Sequence, residues 1–379
     1  MTTSPIMHDT DVHAVVGGSA TIYRLYDVGY EIDLPRAAEI LASPSAPRTR
    51  PRRGEGVALV TPKPPLTLDL GSQSIDIGGR AMSTSLSAAI FDFGVISLRL
   101  AVGTPAEMPW TEYVRFGASL HGAPGPRSLC DARLRDLLRA LGAAVQRPGI
   151  AGVTEDYIVY RIATLADSAG KTLTPPRVPG DALAALLLNE SRELSAAAKR
   201  ELLPHRFAYT THDYAVVTWE SALVIEPDAE DRDVEFVLEF ANAQLLELRV
   251  FDALLDAELP KMYDRVAAVR RKTTALFRRY RSLLAEMQTL VADTTEIVER
   301  VENALKVTDD VYLARVYSAA LKIFRGSAWR RGIDRKLEIT RDTYTMLNAE
   351  SQASRSEVME FAILLLILGE ILLSIFGRH

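Results

Sequence analysis

The sequence predicts an α+β fold: an N-terminal mixed α/β-layer domain, a long antiparallel coiled-coil-like helical hairpin and a C-terminal transmembrane helix. Short stretches with strand and helix patterns mix without strict alternation up to Pro227, which is typical of α+β layers. Beyond it, Pro260 is the single proline and no glycine occurs before Gly326, which indicates nearly continuous helix. Residues 361–376 are almost entirely apolar, as in a membrane span.

These patterns divide the 379 residues into four predicted parts. They are a mobile N-terminus (1–18), the α+β domain (19–227), the helical hairpin (228–357) and the anchor (358–379).

Net charge, cysteine count and the N-terminal sequence limit the partners and the compartment that we expect. The net charge of −5 exerts no overall attraction on nucleic acid or anionic lipid. Cys130 is the single cysteine, so no intramolecular disulfide can form, which suits a reducing compartment. The first twenty residues lack the basic and apolar regions of a secretory signal. We therefore expect the body to stay in the cytoplasm and a single C-terminal span to insert after synthesis.

The N-terminal half begins with a predicted strand and helix. Residues 21–28 alternate and are rich in aromatic and β-branched side chains, which favours a strand. Asp33 is a predicted N-cap two residues before Pro35, so a helix follows. Residues 85–102 are too long for one strand, and Phe91–Gly94 is interpreted as a turn between two. Further strands are predicted at 57–60, 66–70, 156–165 and 212–225, the last as two short strands, and helices at 110–120, 131–145 and 181–201.

The hairpin is predicted from apolar residues that recur at alternating spacings of four and three from Met262 to Ala304. Six heptads of this spacing indicate a coiled-coil seam. A break near 307–310 and a second helical pattern after it predict a returning arm, since short connections favour antiparallel neighbours. The seam residues are Val266, Val269, Leu276, Leu283, Met287, Leu290, Ile297 and Val301.

The C-terminal apolar run is predicted to anchor the chain in a bilayer. About twenty helical residues at ~1.5 Å each reach roughly 30 Å, the thickness of the hydrocarbon core. A buried core helix is the alternative. Glu370 is either a tolerated protonated acid or a hydrogen-bonding group between copies of the span. The proposed anchor residues are Phe361, Leu365, Leu368, Glu370, Leu372 and Phe376.

No motif in the chain predicts catalytic, cofactor-binding or metal-binding residues. Phosphate-binding loops, dinucleotide fingerprints and nucleophile elbows are missing from the sequence. His205 and His212 are seven residues apart, which is too sparse a set for a metal site. The interpretation is a protein without enzymatic activity and without a cofactor.

Three basic bands in the hairpin are candidates for contact with RNA or anionic lipid. A solvated coiled-coil face is the alternative interpretation. Their residues are Arg270, Arg271, Arg278, Arg279, Arg330 and Arg331.

Several segments, in order along most of the chain, together resemble the family named "required for meiotic nuclear division", with its YagE-like relatives. Phe361 stands where the family usually has tryptophan, and the tryptophan motif after Pro260 is reduced to Lys-Met-Tyr. The matching segments are 23–26 with 32–34, 90–96 (Ile-Phe-Asp-Phe-Gly-Val-Ile), 241–244 through 258–260, 337–339 with 347–348, and 360–370.

This resemblance implies a membrane-anchored, non-catalytic protein that forms homo-oligomers. Eukaryotic members of the family are implicated in mitochondrial translation at the inner membrane, and the composition here suits a bacterial member. The first hypothesis is thus a membrane-tethered scaffold or adaptor with its body in the cytoplasm and an unknown protein partner. The alternatives are an RNA- or ribosome-associated factor at the membrane and an enzyme of unknown reaction in the α+β domain.

Overall fold

A computed structural model describes most of the chain. It covers residues 12–42, 51–53, 63–270 and 310–376, apart from 175, 177, 191, 193 and 204, together with 285, 287–289, 291–292 and 295. The chain forms two compact units, the first made of Met1–Val250 and Val301–Ser327, the second of Phe251–Arg300 and Ala328–His379.

The strands lie in the first unit. In chain order they are β1 (Ala14–Val16), β2 (Ser19–Asp27), β3 (Glu31–Ile32), β4 (Pro51–Arg53), β5 (Leu66–Ile77), β6 (Arg80–Ile90), β7 (Val95–Gly103), β8 (Glu107–Pro109), β9 (Val145–Gln146), β10 (Thr154–Ile162), β11 (Thr164–Ala166), β12 (His205–Phe207), β13 (Tyr214–Val217) and β14 (Ser221–Ile225).

The helices occur among these strands up to β14 and then continue alone. They are α1 (Leu34–Ala42), α2 (Trp110–Leu120), α3 (Pro124–Leu141), α4 (Gly180–Leu187), α5 (Ala196–Leu202), α6 (Asp233–Arg270), α7 (Val311–Ile323) and α8 (Gly326–Phe376).

A large sheet organises the first unit. Among the described residues its order is β12-β13-β14-β10-β2-β7-β6-β5-β4. All neighbours are antiparallel except β10 and β14, which run parallel with Ile158 opposite Ser221. Two smaller sheets, β11-β1-β8 and β3-β9, lie beside it.

One face of this sheet carries two apolar cores. Alternate residues of β2 and β7, such as Ile22 and Leu100, pack with α2 and α4 in one core. Tyr26 and Leu98, further along the same strands, pack with α1 and α3 in the other. Because side chains alternate between faces along a strand, the odd-numbered residues of both strands, such as Tyr23 and Arg99, point to the opposite face.

The opposite face meets the first half of α6 through polar pairs. Arg161 Nη1 lies 2.7 Å from Glu235 Oε1, and Arg99 binds both carboxylate oxygens of Glu239 at 2.7 and 2.5 Å. Further along α6, Glu155 of β10 pairs with Arg249. These pairs hold α6 on the sheet up to about residue 250. The first unit therefore extends beyond the predicted domain boundary at 227.

The turn between β6 and β7 requires glycine. Gly94 has a φ of +91°, and a Cβ there would lie 1.8 Å from the Gly29 carbonyl oxygen. The Gly94 carbonyl accepts a hydrogen bond from the Val28 N–H at 2.9 Å. The close approach of these two backbones explains the glycine in the predicted turn.

The structure confirms the mixed α+β class, with a sheet-rich N-terminal part and helices afterwards. The predicted turn at 91–94 and helix at 110–120 are confirmed. The predicted helix over 181–201 is instead two helices, α4 and α5. Strand β1 lies within the segment 1–18 that was predicted to be a mobile terminus. The first eleven residues of that segment lie outside the described ones. The strand predicted at 57–60 also lies outside the described residues.

The predicted transmembrane anchor is wrong. Among the described residues, no helix offers a stretch that is both long and apolar enough to cross a membrane. The predictions of a tail anchor and of a membrane-anchored location are overturned with it.

Candidate functional site

A polar cleft lies beside the first half of β10, before the point where β14 becomes its neighbour in the sheet. β14 begins at Ser221, opposite Ile158, so residues 154–157 of β10 pair with β2 on one side only. We call the cavity of about 370 Å³ at this place the β10 cleft. It is lined by Ile22, Arg24, Leu120, His121, Gly122, Ala123, Pro126, Arg127, Cys130, Glu155, Asp156, Ile158, Trp219, Glu220, Leu245 and Arg249.

Arg24 is the central cation of the cleft. Its Nη1 lies 2.6 Å from both carboxylate oxygens of Asp156, and its Nε donates to the Tyr26 hydroxyl at 2.8 Å. The same Nε lies 3.4 Å from Asp131. Burial opposes the charge, but the hydrogen bonds and charge of Asp156 outweigh it and raise the pKa of Arg24. The guanidinium is therefore a permanent charge held in one orientation.

A second ion pair closes the cleft on the α6 side. Glu155 is buried, and its carboxylate contacts Arg249 Nη1. Burial raises the pKa of Glu155, and the charge and hydrogen bond of Arg249 act in the opposite direction. Neighbouring residues of β10 thus direct one carboxylate to each face of the sheet, and an arginine neutralises each of them.

His121 and Cys130 are the side chains of the cleft whose types most often serve as a general base and a nucleophile. Burial lowers the pKa of His121, against the opposing charge of Glu220, and its Nε2 lies 3.0 Å from the Tyr160 hydroxyl. Burial raises the pKa of the Cys130 thiol to about 12. At neutral pH the imidazole is therefore uncharged and the thiol is protonated, which makes Cys130 a poor nucleophile.

An aromatic group stands at the end of the cleft. Trp219 precedes Glu220 in the turn between β13 and β14 and is 43% exposed. Its ring centroid lies 6.1 Å from that of Phe324, and the Arg325 guanidinium carbon lies 5.9 Å from the indole centroid. These contacts hold the indole in place at the mouth, where it can pack on a ligand.

Taken together, the buried charges of the cleft are already paired. Arg24 is bound to Asp156 and Arg249 to Glu155. The described residues hold no group of three or more His, Cys, Asp or Glu side chains arranged for a metal ion.

The predicted anchor residues lie on α8. Leu365, Leu368 and Glu370 are exposed to solvent in the single chain. The side chains of Phe361, Leu372 and Phe376 lie outside the described ones.

Few of the predicted seam residues can be placed. Met287 is buried. Val266 and Val269 lie on α6 with side chains outside the described ones. Outside the described residues altogether are Leu276, Leu283, Leu290, Ile297 and Val301.

The basic bands are likewise only partly described. Arg330 lies 3.7 Å from Asp334 on α8, and Arg331 is exposed on the same helix. Arg270 ends α6 with its side chain undescribed, and Arg271, Arg278 and Arg279 lie outside the described residues.

The sequence did not predict the β10 cleft, because its charged residues are scattered along the chain. Arg24 and Asp156 are 132 residues apart. One signal was available: Arg24 stands in the middle of a strand of apolar and aromatic residues, and a buried charge requires a partner. The partner itself cannot be read from that pattern.

Comparison with known proteins gives one family and no function. The family model described as "Uncharacterized protein MJ0711, N-terminal domain" matches residues 17–232. The uncharacterized protein MJ0711 of Methanocaldococcus jannaschii is 26% identical over 193 residues, which are 51% of this chain and 58% of that protein. The match therefore spans less than two thirds of the relative's length. No solved structure matches significantly. The resemblance to the meiotic nuclear division family stays a prediction.

Proposed function

The chain belongs to the family of the MJ0711 N-terminal domain, and we propose that it is a non-catalytic scaffold or adaptor that self-associates through α8 and holds a protein partner. The observation that carries this proposal is a set of exposed large apolar side chains near the end of α8. Each is between 48% and 74% exposed: Met359, Ile363, Leu364, Leu365, Leu366, Ile367, Leu368 and Ile371.

These side chains surround the helix. Residues 363–368 are consecutive, and a turn takes about 3.6 residues, so every side of α8 is apolar there. A helix that is apolar all round is normally buried, and exposed patches of this kind mark interaction sites. The expected partner for this surface is a second copy of the chain, since most oligomers of soluble proteins are symmetric assemblies of one chain.

Contacts in the second unit support the hairpin that would present this surface. Gln288 donates to the Tyr344 hydroxyl at 2.7 Å, and Arg341 donates to Thr295 Oγ1 at 3.3 Å. The residue numbers rise on one side while they fall on the other, which is the order expected of an antiparallel pair. Met287 is buried in the same unit, as a seam residue would be.

The chemistry of the β10 cleft supports a binding role rather than a reaction. A catalytic pair needs a group with a pKa near the working pH beside a nucleophile or substrate. The cleft instead combines arginines bound to carboxylates, a protonated thiol and an uncharged His121 whose Nε2 lies 3.0 Å from the Tyr160 hydroxyl, so its features favour recognition.

The replacement of Leu365 and Leu368 with lysine tests self-association. These residues share one side of α8, and two lysines there would place charges inside the proposed contact, at a cost of several kcal/mol. We expect the wild type to be an oligomer and the double variant to have the mass of a single chain. Sedimentation velocity and light scattering after gel filtration measure the difference.

Glu338→Lys is the matched control. It adds the same two units of positive charge at an exposed position of α8, away from the apolar residues. We expect its mass to equal that of the wild type. A monomeric wild type, or a Leu365→Lys/Leu368→Lys variant with unchanged mass, would contradict the proposal.

A further inference from the structure

We propose that a second cavity, between the sheet and the beginning of α6, binds a neutral sugar of one or two hexose rings through side-chain hydroxyl groups. We call this space of about 360 Å³ the Tyr23 cavity. Its volume lies within the range of roughly 300–1,000 Å³ found for small-molecule sites. Four features carry the proposal: a buried hydroxyl without a partner, further hydroxyl groups beside it, balanced charges and an aromatic wall.

The hydroxyl of Tyr23 is the first sign of a ligand. Tyr23 is 5% exposed and lines the cavity, yet its hydroxyl forms no hydrogen bond with any described residue. Other buried tyrosines, Tyr113, Tyr157 and Tyr160, each donate to a backbone carbonyl. Burial and then the charge of Glu239 raise the pKa of Tyr23, so its hydroxyl keeps the proton. Because buried hydroxyl groups are normally paired, this donor is available to a group that enters the cavity.

Strand register places more hydroxyl groups beside Tyr23. Arg99 of β7 lies opposite both Tyr23 of β2 and Ser87 of β6, and Asp69 of β5 lies opposite Ser87. Paired residues direct their side chains to the same face, so this row crosses four strands, or about 14 Å, on the α6 face. The lining residues whose hydroxyl groups also make no hydrogen bond with a described residue are Thr21, Thr67, Ser85 and Ser87.

The charges at the cavity balance one another. The three arginines and three carboxylates that line it or bind its lining residues are Arg99, Arg161, Arg232, Asp69, Glu235 and Glu239. Arg99 binds both carboxylate oxygens of Glu239. Glu235 lies 2.7 Å from Arg161 and 3.1 Å from Arg232. A ligand without net charge therefore suits the cavity, since an anion would lie beside the buried carboxylates of Glu235 and Glu239.

Phe236 supplies an apolar wall. It is half-buried beside the cavity, and its ring lies nearly parallel to that of Phe240, with 6.2 Å between the centroids. Phe240 contacts Phe91 in turn, so the wall is held in place. A hexose has hydroxyl groups around its edge and C–H groups on its faces. It can pack one face on Phe236 and direct its hydroxyl groups to the strands, where hydroxyl side chains both donate and accept.

The first test titrates the full-length protein with glucose, galactose, mannose, maltose, cellobiose and lactose. Calorimetry measures the heat of binding. We expect at least one of these sugars to bind at millimolar concentration and to bind better than inorganic phosphate or glucuronate. No binding of any of the six would mean that the cavity holds only solvent, and tighter binding of the two anions would mean an anion site. Either result would overturn the proposal.

Variants that remove one hydroxyl group assign the binding to the cavity. Tyr23→Phe keeps the ring, and Ser87→Ala changes a half-buried side chain. Each should lower the affinity for the bound sugar about tenfold, because a hydroxyl group of the ligand loses its partner. The denaturant midpoint of Tyr23→Phe should not fall, since its hydroxyl has no partner in the free protein.

Ser83→Ala is the matched control. Ser83 lies on the same strand and face as Ser87, is exposed and does not line the cavity. We expect it to bind the sugar with wild-type affinity. Equal affinities of Tyr23→Phe, Ser87→Ala and the wild type would place the sugar elsewhere and contradict the proposal.

The outcome is separable from that of the self-association test. All residues that line the Tyr23 cavity belong to the first unit, whereas Leu365 and Leu368 belong to the second. The Leu365→Lys/Leu368→Lys variant should therefore bind the sugar as the wild type does. A monomeric wild type that binds sugar would support the cavity alone, and an oligomer that binds none would support self-association alone.

Discussion

Replacement of Arg99 with methionine is expected to lower the free energy of unfolding by about 3–5 kcal/mol. Glu239 on α6 is almost fully buried, and its two carboxylate oxygens bind the guanidinium of Arg99. Methionine preserves most of the packing and removes the charge, so the carboxylate is left uncompensated or must take up a proton. The measurement is denaturant unfolding of the full-length chain at pH 7.

The partner variants decide whether charge is the cause. Glu239→Leu should cost less, because Arg99 is 21% exposed and borders a cavity of about 360 Å³ through which it can reach water. The double variant Arg99→Met/Glu239→Leu should recover most of the stability, since neither charge is then left alone. If the double variant lost as much stability as the sum of the two single variants, packing rather than the ion pair would explain the effect.

Replacement of Asp27 with asparagine is expected to stabilise the protein at pH 7 by roughly 3 kcal/mol and to leave it unchanged near pH 4. Burial raises the pKa of Asp27 from 3.8 to about 6, against the opposing hydrogen bonds from the Gly29 N–H and Glu247. Below about pH 4 the acid is protonated in both states. Between pH 4 and 6 the unfolded chain loses this proton while the folded chain holds it, so stability falls as pH rises.

Asparagine abolishes this titration and keeps an oxygen for the Gly29 N–H. Urea unfolding at intervals from pH 4 to pH 8 should give wild-type and Asp27→Asn curves that separate between pH 4 and 6. Glu112→Gln, at an exposed acid of α2, should follow the wild type throughout. Parallel curves for Asp27→Asn and wild type would show that the burial of Asp27 does not govern the pH dependence.

Local patterns predicted the elements whose cause is local. The alternation of residues 21–28 and the Asp33–Pro35 helix start correspond to β2 and α1. Local reasoning placed the start of α3 incorrectly: the helix begins at Pro124, and the predicted helix (131–145) began seven residues later. Proline in the first turn of a helix costs nothing, since the N–H that it lacks would have no helical partner.

The C-terminal apolar run shows the limit of a one-dimensional pattern. Its composition is the same whether the helix crosses a bilayer, packs in a core or contacts another copy. The described helix offers no membrane-spanning stretch, and its apolar side chains are exposed in the single chain. Composition therefore identified an apolar helical segment, but not its environment.

The sequence by itself determined the α+β class, strand β2, helices α1 and α2 and the turn at residues 91–94. The spacing of apolar residues and the stereochemistry of glycine and proline act within a few residues. Only the tertiary structure decided the β10 cleft. Its ion pairs join β2 to β10 and β10 to α6, and they form because strand register places Arg24 opposite Asp156. Such pairings depend on which strands become neighbours, and no local pattern of residues specifies that choice.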